Sequence, residues 1–272
     1  MPSTYAHARF GADVLKELSK YDKNTFAGSA AEVINQYREL YDIGLHGPDI
    51  FFYYEPLHSN EVSALGNELH EMSGREVLGH FAEIAGPREY KARKAYLYGF
   101  ICHFALDSVC HRYVNQSSAE KKISHVGIES EFERALMEDD GVEPMSHVLT
   151  NHIHPSLVNA CVISRFFDEV GANEIQKTLK WMVWYHEFLR CPNTVKRGVI
   201  FNGMRLIGHG DLTGLLIPDK HDQRCSDSNA ELKRLYGCAI PLAVRLIKGF
   251  SEGNQILSDP ALDRNFESEL PH

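Results

Sequence analysis

Residues 88–115 carry the longest apolar stretch at helical spacing in this chain, through Ala95, Leu97, Tyr98, Ile101, Ala105, Leu106 and Val109. A helix this apolar belongs inside a fold, with other elements packed around it. The same segment holds His103, Asp107 and His111 at i, i+4 and i+8. At helical pitch these three side chains project from nearly one stripe. Ionisable groups on a buried helix are costly unless paired or coordinated, so the stripe points to a metal. Cys102 and Cys110 lie about 100° round the helix from their His neighbours and read as packing residues.

The next segment repeats the device. Ser124 is placed to cap a helix through Ile128, Phe132, Leu136 and Met137 that ends near Gly141. His125 and Glu129 stand one turn apart on it. Helices carrying such pairs face each other across bundles and build multi-metal sites there. A single HxxxD is common by chance, and a lone helical His is usually structural. HxxxDxxxH followed by HxxxE on the following helix is much less readily accidental. Imidazole and carboxylate without thiolate suit zinc with a position open to water, and manganese or iron are compatible.

Elsewhere helical spacing recurs and strand patterns are nearly absent, so the fold class is all-α. Further helices are expected from Thr4 to Leu18, at 30–41, 60–72, 74–84, 155–170, 174–190, 194–207 and 228–250, with breaks at Gly44, Gly47-Pro48 and Gly86-Pro87. Trp181, Trp184 and Tyr185 read as a core stripe, and the tail from Ser251 reads as polar and loose. No repeat or linker is evident, which predicts one domain over residues 1–272. The six Cys form no CxxC pair and read as small buried apolar residues. A net charge of -9 offers no basic face, so no stable nucleic-acid complex is expected. Neither a signal peptide nor a transmembrane segment is evident, and a cytoplasmic location is expected.

Five segments, STYAH, GLHGPDIFFYY, GNELH, AYLYGFICHFALDSVCH and HVGIESEFE, follow one another from residue 3 to about 135. Through them the chain resembles the zinc-dependent phospholipase C and S1/P1 nuclease superfamily, in particular its intracellular bacterial phospholipase C-like branch. The resemblance implies a compact multi-helix bundle around two to three zinc ions. It implies that His103, Asp107 and His111 form the ligand set of the central helix, with Asp107 bridging two ions. His125 and Glu129 would hold a further ion with His111, and His7 would be the N-terminal His ligand. Asp49 would contact metal or water at the mouth of the site. His70 would join His103 and Asp107 on one ion. His58 is the alternative, and the helix-like GNELH favours His70. Secreted relatives also coordinate through a free N-terminal amine, whereas this chain begins Met-Pro. Removal of Met1 would put Pro2 five residues before His7, which leaves coordination by Pro2 open.

The activity so implied is zinc-dependent hydrolysis of a phosphate ester, a phospholipid or another phosphodiester, with Asp49 as the catalytic carboxylate. Two rivals remain. One is a non-catalytic metal-binding or interaction protein that keeps the ligands. The other is an HD-type phosphohydrolase, for which the one adjacent pair, His221-Asp222, sits poorly in a polar loop. His46 either supports a ligand or is a plain loop residue. Residues Phe51 to Tyr54 read as packing in preference to a substrate mouth. His147, His152 and His154 read as surface or structural residues, and His80, His186, His209 and His272 carry no expected role.

Overall fold

Side-chain caps set where most of the helices begin. In the computed structural model, which describes residues 4–21, 29–56, 58–86, 90–206, 216–253 and 255–268, the helices are α1 (Thr4–Tyr21), α2 (Ala30–Gln36), α3 (Arg38–Gly44), α4 (Glu61–Glu71), α5 (Gly74–Ala85), α6 (Lys91–Lys121), α7 (His125–Asp139), α8 (Leu157–Ile163), α9 (Ala172–Leu189), α10 (Thr194–Leu206) and α11 (Ser226–Ser251). Ser29, Asn60, Ser73, Ser124 and Ser156 each accept a backbone N–H from the first turn, and α4 and α5 close full capping boxes. A tight 3-10 turn, Gly47–Tyr53, joins α3 to the α4 region. Among the described residues the extended pairing is one isolated bridge, Ser73 to Asn265. The expectation about Pro2 lies outside the described residues, as do His209 and His272.

Helix α6 is the axis of the molecule. It is buried on every side from Ala95 to Ser108 and packs chiefly against α3 and α11. Glycine lets α3 come close. A Cβ at Gly99 would sit 2.2 Å from Tyr41 O, and one at Gly44 would sit 2.4 Å from Tyr96 O. The Tyr41 hydroxyl then donates to Gly11 O at 2.8 Å and ties α1 to the same crossing. The helix outruns the apolar stretch that predicts it and ends at Lys121, where Lys122 turns left-handed. Among the described residues no helix is long and apolar enough to cross a membrane.

Three expectations need correction. The buried stripe of α9 is Ile175, Thr178, Leu179 and Met182, whereas Trp184 is 51% exposed and stacks on exposed Phe188. Aromatic content marks an apolar surface without saying which face packs inward. Cys161 and Cys238 are exposed, and the other four Cys are buried. The C-terminal segment is firmly docked. Leu262 and Phe266 are fully buried, Gly74 N donates to Arg264 O at 2.8 Å, and Arg75 pairs with Asp263.

Candidate metal centre

Helix α6 presents its stripe to the interior of the bundle. His103 Nε2 lies 3.0 Å from Asp107 Oδ2, and His111 Nε2 lies 3.6 Å from Asp107 Oδ1. From α1, one turn inside its start, His7 brings Nε2 to 3.3 Å of the same Asp107 oxygen. Its ring stacks on His103 at 4.3 Å. Asp49 arrives on the 3-10 turn, and His70 on the last turn of α4. Their side chains meet at 3.1 Å. From α7, Glu129 Oε1 lies 3.3 Å from His111 Nε2 and 3.1 Å from His125 Nε2.

The backbone allows this crowding at one position above all. Gly47 adopts φ +47, and a Cβ there would fall 2.3 Å from the His103 ring. Glycine is thus required both by its conformation and by the close approach. The Gly-Pro-Asp segment that was expected to line a mouth is buried from Gly47 through Phe51.

Three groups of ligand-type atoms result, each gathered within 4.8 Å: His7, His103 and Asp107; Asp49, His70 and His103; His111, His125 and Glu129. All eight residues proposed from the sequence therefore converge. His58 is exposed and belongs to none of the groups found among the described residues.

Two of the imidazoles are oriented alike. His70 Nδ1 donates to Gly66 O at 2.7 Å, and His103 Nδ1 donates to Leu45 O at 3.2 Å. A carbonyl oxygen only accepts, so in each ring Nδ1 carries a proton, and Nε2, which faces a carboxylate, is the nitrogen free to ligate a cation. Both Nε2 atoms face the cluster. This is the tautomer of a His held by an outer acceptor and offered to a metal.

Electrostatics reinforce the point. Burial raises the Asp107 carboxyl, but His103, His111 and His7 overcome it and hold the group well below the usual carboxylate range. Burial is likewise outweighed at Asp49, where the surrounding positive charge, with His70 and His103 contributing, keeps the carboxyl low. At Glu129 burial opposes the bonds from His111 and His125, and the group falls to about 2. Burial lowers His103. For His111 burial lowers as well, yet Asp107 and Glu129 lift it well above the ordinary value. Buried His7 Nδ1, His103 Nε2 and Asp107 Oδ2 lack a hydrogen bond of normal geometry. Buried polar atoms are rarely left so, and a cation among them is the simplest account. Nitrogen and carboxylate oxygen donors without thiolate fit zinc.

Several neighbours carry no clear sequence signal. Glu133 is buried and accepts from Tyr5 N at 2.5 Å, and burial pushes it up to about 8. Its spacing of one turn from Glu129 is the one hint in the sequence. His186 lies within hydrogen-bond reach of Thr4 Oγ1, at 3.1 Å, and of the Tyr53 hydroxyl, at 2.8 Å. His46 is buried and meets His152 at 2.7 Å, which makes it a packed partner of that loop. Phe51 packs on Phe167 at 4.9 Å. His221 contacts Glu131, and Asp222 pairs with Arg224. Neither joins the ligand groups, so the HD arrangement is not formed.

Comparison with known families matches residues 6–180 to one described as zinc dependent phospholipase C. That span holds all eight converging residues. No curated protein and no solved structure matches the chain.

Proposed function

The chain belongs to the zinc-dependent phospholipase C family, and from that premise we propose that it hydrolyses phosphodiesters by the phospholipase C type of reaction. The observation that carries this reading is the convergence of His7, Asp49, His70, His103, Asp107, His111, His125 and Glu129 in three groups, two sharing His103 and the third joined to them where His111 faces Asp107. These residues would hold two to three zinc ions. Asp107 would serve two of the groups at once, because His7, His103 and His111 all surround it. Bound zinc supplies charge neutralisation for a phosphate and lowers the pKa of a coordinated water.

The remaining work falls to the chain. Asp49, kept ionised by His70 and His103, orients the attacking water and accepts its proton as general base. Its burial keeps bulk solvent from competing for that carboxylate. The Nδ1 bonds of His70 and His103 hold both rings in register, so positioning is set before substrate arrives.

The test is turnover of bis-p-nitrophenyl phosphate and of phospholipid vesicles by zinc-loaded protein, with and without chelator. Chelator-sensitive hydrolysis of either substrate is expected. Absence of turnover on every phosphodiester, with zinc shown bound, would leave a metal-binding protein without this chemistry.

A further inference from the structure

Each imidazole of a metal centre needs something to hold its other nitrogen. His70 and His103 use backbone carbonyls close by in the fold. His111 is different. Its Nε2 faces Asp107 and Glu129, while 3.5 Å from its Nδ1 stands a carboxylate oxygen of Glu267, far outside the family-matched span.

The second oxygen of Glu267 accepts from Asn115 Nδ2 at 3.3 Å. Asn115 Oδ1 lies 2.7 Å from His125 Nδ1. An ionised carboxylate accepts only, so it draws the NH2 end of the Asn115 amide towards itself. The amide oxygen must then face His125, and an oxygen there requires a proton on His125 Nδ1. His125 Nε2 faces Glu129 at 3.1 Å, where it donates to the carboxylate and would turn its lone pair to a cation bound between them. One carboxylate thus reaches both imidazoles of the group His111, His125 and Glu129, His111 as a charged neighbour and His125 through the Asn115 amide.

The segment around Glu267 is anchored on both sides of it. Phe266 is fully buried, with its ring 5.6 Å from His70 and 5.9 Å from His103, and its N–H donates to His70 O at 3.3 Å. Ser268 Oγ donates to Asp107 O at 3.1 Å. Ser268 also holds a left-handed backbone, φ 64, unusual for a residue other than glycine. Such a conformation persists where surrounding contacts impose it.

We propose that Glu267, carried by a C-terminal strap over residues 264–268, is a positioning residue of the metal centre. It faces His111 Nδ1 at ion-pair distance, without a hydrogen bond of normal geometry, and orients His125 through Asn115, so that one carboxylate bears on both imidazoles of that ligand group. The proposal rests on the zinc-binding reading above. Loss of outer partners of this kind typically weakens metal binding about 10–100-fold.

Glu267→Gln is the informative variant, because it keeps the shape of the side chain. Arg75→Ala is the control, since it removes the exposed Arg75–Asp263 pair beside the strap, a pair that contributes little to docking, without touching the centre. Two measurements are made on parent and variants at pH 8: zinc affinity by chelator competition, and the protonation of His125 Nδ1 by nitrogen NMR in zinc-free protein. Expected for Glu267→Gln is a roughly 10–100-fold weaker hold on one zinc ion and a partial loss of the proton from His125 Nδ1. Arg75→Ala should show neither. Zinc bound by the parent, with affinity and Nδ1 protonation both unchanged in Glu267→Gln, overturns the proposal and leaves the zinc reading standing. Equal zinc loss in Arg75→Ala overturns it too, because strap docking alone would then explain the effect. A parent that binds no zinc, with the Nδ1 proton still partly lost in the variant, overturns the zinc reading and keeps Glu267 as the group that orients His125.

Discussion

Asp107 carries more of the centre than any other single side chain, since one carboxylate meets His7, His103 and His111. Asp107→Asn should therefore strip zinc from more than one position and lower the thermal midpoint. Asp49 pairs with His70, and it serves a single group with His70 and His103. Because it is buried and not at an open mouth, Asp49→Asn should cost zinc as well, but less of it, and the group on α7 should stay filled. Elemental analysis and melting of both variants decide the order, and greater zinc loss in Asp49→Asn would reverse the roles assigned. Glu133 allows a prediction about pH. Burial raises it from 4.5 to about 8 in the fold. Between those values the folded chain holds a proton that the unfolded chain has released. Stability is fully present below the unfolded value and falls as pH rises through the folded one, by up to about 1.4 kcal/mol per pH unit. Zinc-free protein should lose stability from about pH 5 to 8 more steeply than its Glu133→Gln variant. Parallel curves in urea melts over that range would show that Glu133 does not hold the extra proton.

At the scale of elements, the close crossing of α3 on α6 sets where His103 stands. Gly99 lies one turn before His103, and a Cβ there would strike Tyr41 O at 2.2 Å. The obstacle is backbone, so α3 must move as a body. Gly99→Ala should cost about 1–3 kcal/mol, as overpacking of a core does. It should also weaken zinc binding, because Leu45, whose carbonyl holds His103, follows directly on α3. A normal melting midpoint and normal zinc content in this variant would show that the crossing has slack. Much of this architecture is legible in the sequence. The apolar period over 88–115 marks α6, and spacing by fours on α6 and α7 marks His103, Asp107, His111, His125 and Glu129, because helical geometry is local. His7, Asp49 and His70 come from separate elements, so only the order of the family-like segments points to them, and spacing alone could not separate His70 from His58. Two features stay hidden for physical reasons. The aromatic run on α9 looks like core by composition, yet Ile175, Leu179 and Met182 do the packing. The strap has no period to read. Its hold comes from contacts between distant parts of the chain, such as Gly74 with Arg264 and Phe266 with His70.

At the scale of the whole molecule, the centre works as a joint. Its ligand-type residues come from α1, the 3-10 turn, α4, α6 and α7, and the strap closes over it. Three buried carboxylates, Asp49, Asp107 and Glu129, meet there in a chain of net charge -9. Their mutual repulsion opposes closure unless protons or cations intervene. A cation bound by the assembled bundle and not by the unfolded chain stabilises the fold by mass action. For one site at a hundredfold excess over Kd that amounts to about 2.7 kcal/mol. In a chain of this size it corresponds to roughly 5–10 °C in the thermal midpoint. Chelator-treated protein should therefore melt several degrees below protein with zinc, and the midpoint should climb with the logarithm of free zinc. Magnesium, which prefers oxygen ligands in octahedral geometry, should not substitute at a centre of five imidazoles and three carboxylates. A midpoint indifferent to zinc over three decades of concentration would mean that protons, shared between His and carboxylate, hold this joint without metal.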